Sequence, residues 1–107
     1  MEDKLNIEQI SMELIVNSGE ARGLAFEALK KAKSRKFEEA KALLERSEKS
    51  SLVAHKAQSK LLFNESNGNT TEMSVLLVHA QDHLMTSILA QELIKEIIEL
   101  HECKEDR

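Results

Sequence analysis

The chain has 107 residues and a mass of 12.1 kDa, which is room for one domain spanning residues 1–107. Its 41% apolar and 32% charged residues are typical of a folded globular protein, not of a disordered or membrane-embedded one. It has no proline, three glycines and three phenylalanines as its only aromatic residues, which disfavours strand-rich folds. The net charge of −4, with acids and bases interspersed, argues against nucleic acid or an anionic membrane as the main partner.

The cysteine count and the hydropathy exclude further classes of protein. A single cysteine, Cys103, allows neither an internal disulfide framework nor a cysteine-based zinc finger. No apolar run reaches the roughly 18 residues of a membrane span, and the first residues do not resemble a signal peptide. We therefore expect a cytoplasmic, all-α protein.

The first helix is predicted to begin at Asn6. This residue is a favourable N-cap, and Gln9 lies three positions later, at the capping-box spacing. Leu5 and Ile10 occupy the two hydrophobic-staple positions around the cap. Apolar residues then recur with a helical period over the next two dozen positions, which predicts one long amphipathic helix.

Two glycines, Gly19 and Gly23, lie one turn apart inside this helix. Each costs a helix about 1 kcal/mol relative to alanine, so their presence needs a reason. We interpret them as positions where a neighbouring helix or a ligand backbone approaches closely.

No glycine or proline marks the end of the first helix. We predict a break at Ser34, a possible N-cap, because one uninterrupted helix of about 58 residues would far exceed the usual length in a compact domain. The second helix is then expected from about Arg35 to Leu62 or Phe63. Residues 64–71 are rich in Asn, Ser, Gly and Thr and are predicted to form a loop.

The third helix is predicted from about Thr70 to Glu102, with Asn69 and Glu72 at the capping-box spacing. Three long helices joined by short connections are typical of an antiparallel three-helix bundle.

The third helix carries two apolar stripes, because each helical residue advances about 100° around the axis. The first stripe contains Val75, Val78, Met85, Leu89, Leu93 and Leu100. The second contains Met73, Leu76, Leu77, Ala80, Leu84, Ile88, Ile94 and Ile98. A helix of a lone three-helix bundle needs only one such stripe. We therefore expect the other to be covered by a second copy of the chain, which makes this helix an oligomer seam.

Three chemically active side chains, His79, Asp82 and His83, lie within five residues of this apolar helix. An unpaired carboxylate at Asp82, between the stripe neighbours Val78 and Met85, would be costly to bury. Asp82 is therefore protonated, paired with a base, bound to a metal shared between subunits, or solvated on a wet face. The two histidines have a known zinc-binding spacing, and a neutral imidazole can also be a general base or a nucleophile. Spacing alone does not decide between these roles.

The run LVHAQDHLMTS at residues 77–87 resembles the signature of the lactose/cellobiose-type enzyme IIA of the bacterial phosphoenolpyruvate-dependent sugar phosphotransferase system. Four further segments are similar to that family, so the resemblance covers nearly the whole chain: SGEAR at 18–22, FEAL at 26–29, FEEA at 37–40 and AHKAQS at 54–59. The family usually has a glycine at the first helix junction, where this chain has Ser34, Arg35 and Lys36.

The resemblance implies a trimer of three-helix subunits, packed as a nine-helix bundle. It implies that His79 carries a phosphoryl group, received from the phosphocarrier protein HPr and passed to a cysteine of the IIB component. The membrane permease IIC is then an indirect partner, and the sugar is a β-linked disaccharide of the cellobiose, chitobiose or lactose type. The resemblance also implies that Asp82 meets its two symmetry copies around a divalent cation. Magnesium suits such carboxylate ligands, and no organic cofactor is expected.

Two residues near His79 are candidates for a supporting role, His83 and Gln81. One turn from His79, His83 could donate to the phosphoryl oxygens or orient the ring, and it is equally a candidate for a purely structural histidine. We assign no chemistry to His55 or His101. Two alternatives stay open: a metal-binding helical oligomerisation module with His79, Asp82 and His83 as ligands, and a plain helical oligomerisation module.

Overall fold

The computed structural model describes residues 6–105, with side chains through residue 103. Its elements are α1 (Ile7–Lys33), α2 (Phe37–Ser66) and α3 (Val75–Glu105), and the described part contains no strand. The bundle measures 61 × 21 × 18 Å, and α1 packs extensively against both other helices whereas α2 and α3 contact each other less. In this described range, none of the helices is long and apolar enough to cross a membrane.

The chain direction alternates from helix to helix, as predicted. One core cluster joins the first half of α1 to the second half of α2 and the first half of α3: Ile10, Leu14, Ala54, Ala57, Leu61, Leu77, Ala80 and Leu84. The other joins the opposite halves: Ala25, Ala28, Ala32, Ala40, Ile94 and Ile98. Helix α2 therefore runs antiparallel to α1 and α3, which run parallel to each other. Four of the six buried members of this second cluster are alanines.

Asn6 is the N-cap of α1, as predicted, and its side-chain oxygen accepts a hydrogen bond of 3.0 Å from the Gln9 backbone N–H. The predicted staple residue Leu5 lies outside the described residues. The end of α1 is a Schellman motif: the Lys36 N–H donates to Lys31 O and the Arg35 N–H to Ala32 O, each at 2.9 Å.

The prediction that Ser34 caps the second helix is wrong. Ser34 is the C-cap of α1, and α2 begins at Phe37 with Lys36 as an N-cap that makes no side-chain hydrogen bond. The turn is made by Arg35, whose φ is +63°. This left-handed conformation is the one that glycine usually supplies after a helix.

The second helix extends to Ser66, one turn beyond the predicted end at Leu62 or Phe63. It ends in the same motif, with Gly68 at φ +89°, the Gly68 N–H donating to Glu65 O and the Asn69 N–H to Asn64 O. Leu62 and Phe63 are exposed, so apolar burial did not mark the helix end.

The third helix begins later than predicted, at Val75 rather than Thr70. The Ser74 hydroxyl accepts from the Leu77 N–H at 3.1 Å, so Ser74 takes the capping role predicted for Asn69. Met73 was assigned to the second stripe of this helix, but it is 67% exposed and precedes the helix.

The two stripes of α3 have different environments, as the helical period predicted. The second stripe supplies the core, with Leu77, Ala80, Leu84, Ile94 and Ile98 all buried. The first stripe is exposed along its whole length, from 52% at Val78 to 87% at Val75: Val75, Val78, Met85, Leu89, Leu93 and Leu100. Within residues 6–105 of a single chain, no element covers this apolar face of α3.

Candidate functional site

His79 lies in the first half of α3, and its side chain is exposed. It borders a shallow, open hollow whose other lining residues come from the start of α3 and the segment before it: Met73, Ser74, Val75, Val78 and Asp82. Among the described residues that line this hollow, His79 and Asp82 are the titratable ones. The exposed imidazole in this position can attack a group carried by another protein, and a second protein can in turn reach a group carried by the imidazole.

His83 is held much more firmly than His79. Its ring centroid lies 5.8 Å from that of His79, with the two ring planes inclined by 53°. Its Nδ1 lies 3.4 Å from the hydroxyl of the buried Ser87, one turn further along α3. Its Nε2 faces α1, where a Cβ at Gly19 would lie 3.7 Å away. His83 therefore packs between two helices and supports the ring next to it.

The two glycines of α1 have different surroundings. Close packing was predicted for both, and at Gly19 the neighbour is the His83 ring. At Gly23 an added Cβ would have no neighbour within 4 Å, so the described part of the chain does not explain that glycine.

Asp82 is exposed and lies within the exposed apolar stripe of α3. In one chain it is solvated, which is one of the states considered for it. Within residues 6–103, no three His, Cys, Asp or Glu side chains are grouped so that they could hold a metal ion. A metal site made by His79, Asp82 and His83 of a single chain is therefore not formed.

Gln81 points away from His79. Its side-chain oxygen accepts a hydrogen bond of 2.7 Å from Gln58 Nε2, which joins α3 to α2. The two side chains lie on opposite sides of α3, because two residues along a helix are about 200° apart around its axis. His55 is exposed on α2, and His101 is half-buried near the end of α3.

Ser87 is the residue near the site that sequence reasoning missed. It follows His83 by four residues, the same spacing that drew attention to His79 and His83. Serine in an apolar helix is compatible with many roles, so the spacing alone did not identify it.

Comparison with known proteins agrees with this arrangement. A sequence model of the family "PTS system, Lactose/Cellobiose specific IIA subunit" matches residues 9–102. The N,N'-diacetylchitobiose-specific EIIA component of the PTS system from Escherichia coli (strain K12) is 51% identical over 96 residues, which are 90% of this chain and 83% of that protein.

Solved structures match over nearly the full length. The cellobiose-specific enzyme IIA from Bacillus anthracis has a TM-score of 0.92 and 43% identity, with 98% of this chain and 96% of that chain covered. The IIA(Chitobiose)–HPr complex of Escherichia coli contains a chain with a TM-score of 0.81 and 47% identity, with 95% and 99% covered. The chain therefore belongs to the lactose/cellobiose-specific IIA family of the phosphotransferase system, whose members are phosphotransferase relay proteins.

Proposed function

We propose that His79 accepts a phosphoryl group from phospho-HPr and passes it to a cysteine of the cognate IIB component. The observation that carries this proposal is the position of His79: an exposed imidazole at the edge of an open hollow, within the family's HAQDHLM run. A relay residue must be reached in turn by two proteins, and an exposed side chain on a rigid helix satisfies that need.

The chemistry needs a nucleophile and positioning more than it needs acid–base machinery. A ring nitrogen without a proton offers its lone pair to phosphorus, and the bond from phosphorus to the donor breaks as the new P–N bond forms. In the second transfer, the cysteine sulfur of IIB attacks phosphorus, and the imidazole nitrogen of His79 leaves with the P–N electron pair.

His83 has a supporting role in this proposal. Its contacts with Ser87 and with the Gly19 position fix its ring, and that ring is adjacent to His79. It therefore limits the orientations of the His79 ring and offers a polar group near the incoming phosphoryl oxygens. Gln81 is a weaker candidate, because its amide oxygen is already engaged with Gln58.

We further propose that the chain works as a homotrimer, with the exposed stripe of α3 as its seam and a nine-helix bundle as its architecture. Asp82 lies within that stripe, so three copies would bring three carboxylates to the axis. Carboxylates are ligands that fit a divalent cation such as Mg²⁺, and the charge of the cation would offset their mutual repulsion. The cation would serve assembly, and no organic cofactor is required.

The cellular setting follows from this role. The protein would act in the cytoplasm during uptake and phosphorylation of a β-linked disaccharide of the cellobiose, chitobiose or lactose type. HPr and IIB would be its direct partners and the IIC permease an indirect one, with no nucleic acid involved. Relatives named for diacetylchitobiose, lichenan and lactose support this class of sugar without selecting a member of it.

The test is the intact mass of the protein after incubation with phosphoenolpyruvate, enzyme I and HPr. The wild type should gain one phosphoryl group and His79→Ala none, although His79→Ala should fold normally. His55→Ala is the matched control and should be phosphorylated like the wild type, because His55 is also an exposed helical histidine. His83→Ala should still be phosphorylated, although to a lower extent than the wild type. Phosphorylation of His79→Ala would show that another residue is the carrier.

A further inference from the structure

The hydroxyl of Ser87 is buried, and its hydrogen-bond partner among the described residues is the His83 ring. The Ser87 side chain is 2% exposed, and its Oγ lies 3.4 Å from His83 Nδ1. A helical serine can instead donate to the carbonyl four residues earlier, as Ser18 does to Leu14 O. For Ser87 that carbonyl belongs to His83, and the hydroxyl next to it is that of Thr86, at 3.3 Å. The proton of the Ser87 hydroxyl is therefore available to the ring.

This contact distinguishes the two neutral forms of the His83 ring. A neutral imidazole carries its proton on one nitrogen and accepts a hydrogen bond at the other. If Nδ1 carried the proton, the ring would donate to Ser87 Oγ, and the buried hydroxyl proton would have no acceptor among the described residues. If Nδ1 is bare, the hydroxyl donates to it, and the ring proton lies on Nε2. A buried donor without an acceptor costs free energy, so the contact favours the second form.

The other ring nitrogen of His83, Nε2, faces a position of α1 that has no side chain. A Cβ at Gly19 would lie 3.7 Å from Nε2 and 4.0 Å from the adjoining Cε1. Glycine leaves that space open, beside a ring whose centroid is 5.8 Å from that of His79. Within residues 6–103, Nε2 has no hydrogen-bond partner. A proton held on Nε2 is therefore available to an oxygen atom that is brought to His79.

We propose that Ser87 is a positioning residue, which holds the proton of neutral His83 on Nε2 so that this N–H donates to the oxygens of a phosphoryl group on His79. The choice of nitrogen follows from the buried hydroxyl alone, whereas its use in phosphoryl transfer rests on the function proposed above. A donor that is fixed before the transfer needs no reorganisation as charge develops on the phosphoryl oxygens. The glycine at position 19 contributes by leaving the Nε2 side of the ring uncovered.

The test compares Ser87→Ala with Ser18→Ala, a matched control that removes another buried hydroxyl, one bonded to its own helix. The NMR chemical shifts of the His83 ring nitrogens, recorded under alkaline conditions without HPr, report which nitrogen carries the proton. The wild type and Ser18→Ala should carry it on Nε2, whereas Ser87→Ala should show a mixture of both forms. The kcat for phosphorylation by phospho-HPr should fall about threefold to tenfold in Ser87→Ala, as expected for one lost hydrogen bond, with an unchanged KM.

Three results would overturn the proposal. The first is a wild-type His83 ring with its proton on Nδ1, which needs no variant to be observed. The second is a Ser87→Ala protein whose ring shifts or kcat equal those of the wild type. The third is an equal change in Ser87→Ala and Ser18→Ala, which would assign the effect to a general loosening of the helices. Both variants should fold, because alanine favours a helix over serine. The ring spectra require no phosphoryl transfer, so a wild type that is not phosphorylated would contradict the proposed function separately.

Discussion

At the scale of single residues, the two helix ends show how one motif is built from different side chains. Gly68 and Arg35 both occupy the left-handed position that follows a helix, with φ of +89° and +63°. Glycine adopts this conformation without a penalty, whereas a Cβ crowds the neighbouring carbonyl and costs about 1–2 kcal/mol. The hydrogen bonds made by the Arg35 and Lys36 N–H groups hold the turn despite that cost.

We predict that Arg35→Gly is more stable than Arg35→Ala by about 1 kcal/mol. Both variants remove the arginine side chain and its interactions, so their difference isolates the effect of the Cβ in the left-handed region. Urea unfolding followed by circular dichroism gives the two free energies of unfolding. If the alanine variant equals or exceeds the glycine variant in stability, Arg35 does not hold a strained conformation in solution.

At the scale of the helices, a polar layer divides the core into its two clusters. The layer contains one buried serine from each helix, Ser18, Ser47 and Ser87, whereas a fourth buried serine, Ser11, lies nearer the start of α1. The Ser47 hydroxyl donates to Ala21 O at 2.6 Å and accepts from Gln91 Nε2 at 2.7 Å, so it connects all three helices. Such bonds hold only in one relative position of the helices, and the layer therefore fixes their register.

Ser47→Ala is predicted to destabilise the protein by about 1–2 kcal/mol, because it removes the hydrogen bond to the Ala21 carbonyl and leaves the Gln91 amide without this partner. Ser59→Ala is the matched control on the same helix. Ser59 is exposed, and its replacement should change the free energy of unfolding by less than about 0.5 kcal/mol. Denaturant unfolding of the two variants tests the difference. Equal losses would mean that the layer adds nothing to stability.

Much of this fold could be predicted because a long amphipathic helix has a recognisable apolar period in its sequence. Asn6 and the contrast between the stripes of α3 were visible as patterns within one helix. The polar layer was not, since Ser47 and Gln91 are 44 positions apart and only packing brings them together. The turn at Arg35 was missed for a related reason: its conformation is imposed by hydrogen bonds, with no glycine to mark it. At the site, His79 and His83 were found by spacing and family resemblance, whereas Ser87 required the structure.

At the scale of the whole molecule, the exposed stripe of α3 is an apolar surface that we expect another molecule to cover. Six large apolar side chains are each at least 52% exposed along one helix, and water is a poor environment for such a surface. The stripe runs most of the length of α3, so a matching helix from another copy can cover it continuously. The remaining surface of the described helices is largely polar, apart from shorter apolar groups such as Met12, Val16 and Phe26 on α1.

We predict that the chain sediments as a trimer at micromolar concentration and that Leu89→Lys combined with Leu93→Lys converts it to monomers. Both leucines lie in the exposed stripe, and burying two ammonium groups in the seam would cost more than the assembly gains. Val53→Lys is the control, because Val53 is similarly exposed but lies on α2. A monomeric wild type in sedimentation equilibrium, or a trimeric double variant, contradicts the proposed seam.

The last prediction concerns Asp82, which lies within the proposed seam between Val78 and Met85. In the trimer, three carboxylates would repel one another on the axis, and the apolar surroundings would screen that repulsion only weakly. A bound divalent cation would offset the repulsion, so removing it with EDTA should lower the melting temperature of the wild-type trimer. The subunit's own fold does not need the cation, because Asp82 is exposed and faces away from the buried Leu77 and Leu84.

Asp82→Leu should therefore remain trimeric, extend the apolar seam past Val78 and Met85, and melt at the same temperature with and without EDTA. Thermal melts of both proteins, each with and without chelator, separate the possibilities. Equal sensitivity of the two proteins to EDTA, or an insensitive wild type, would show that Asp82 holds no cation on the axis.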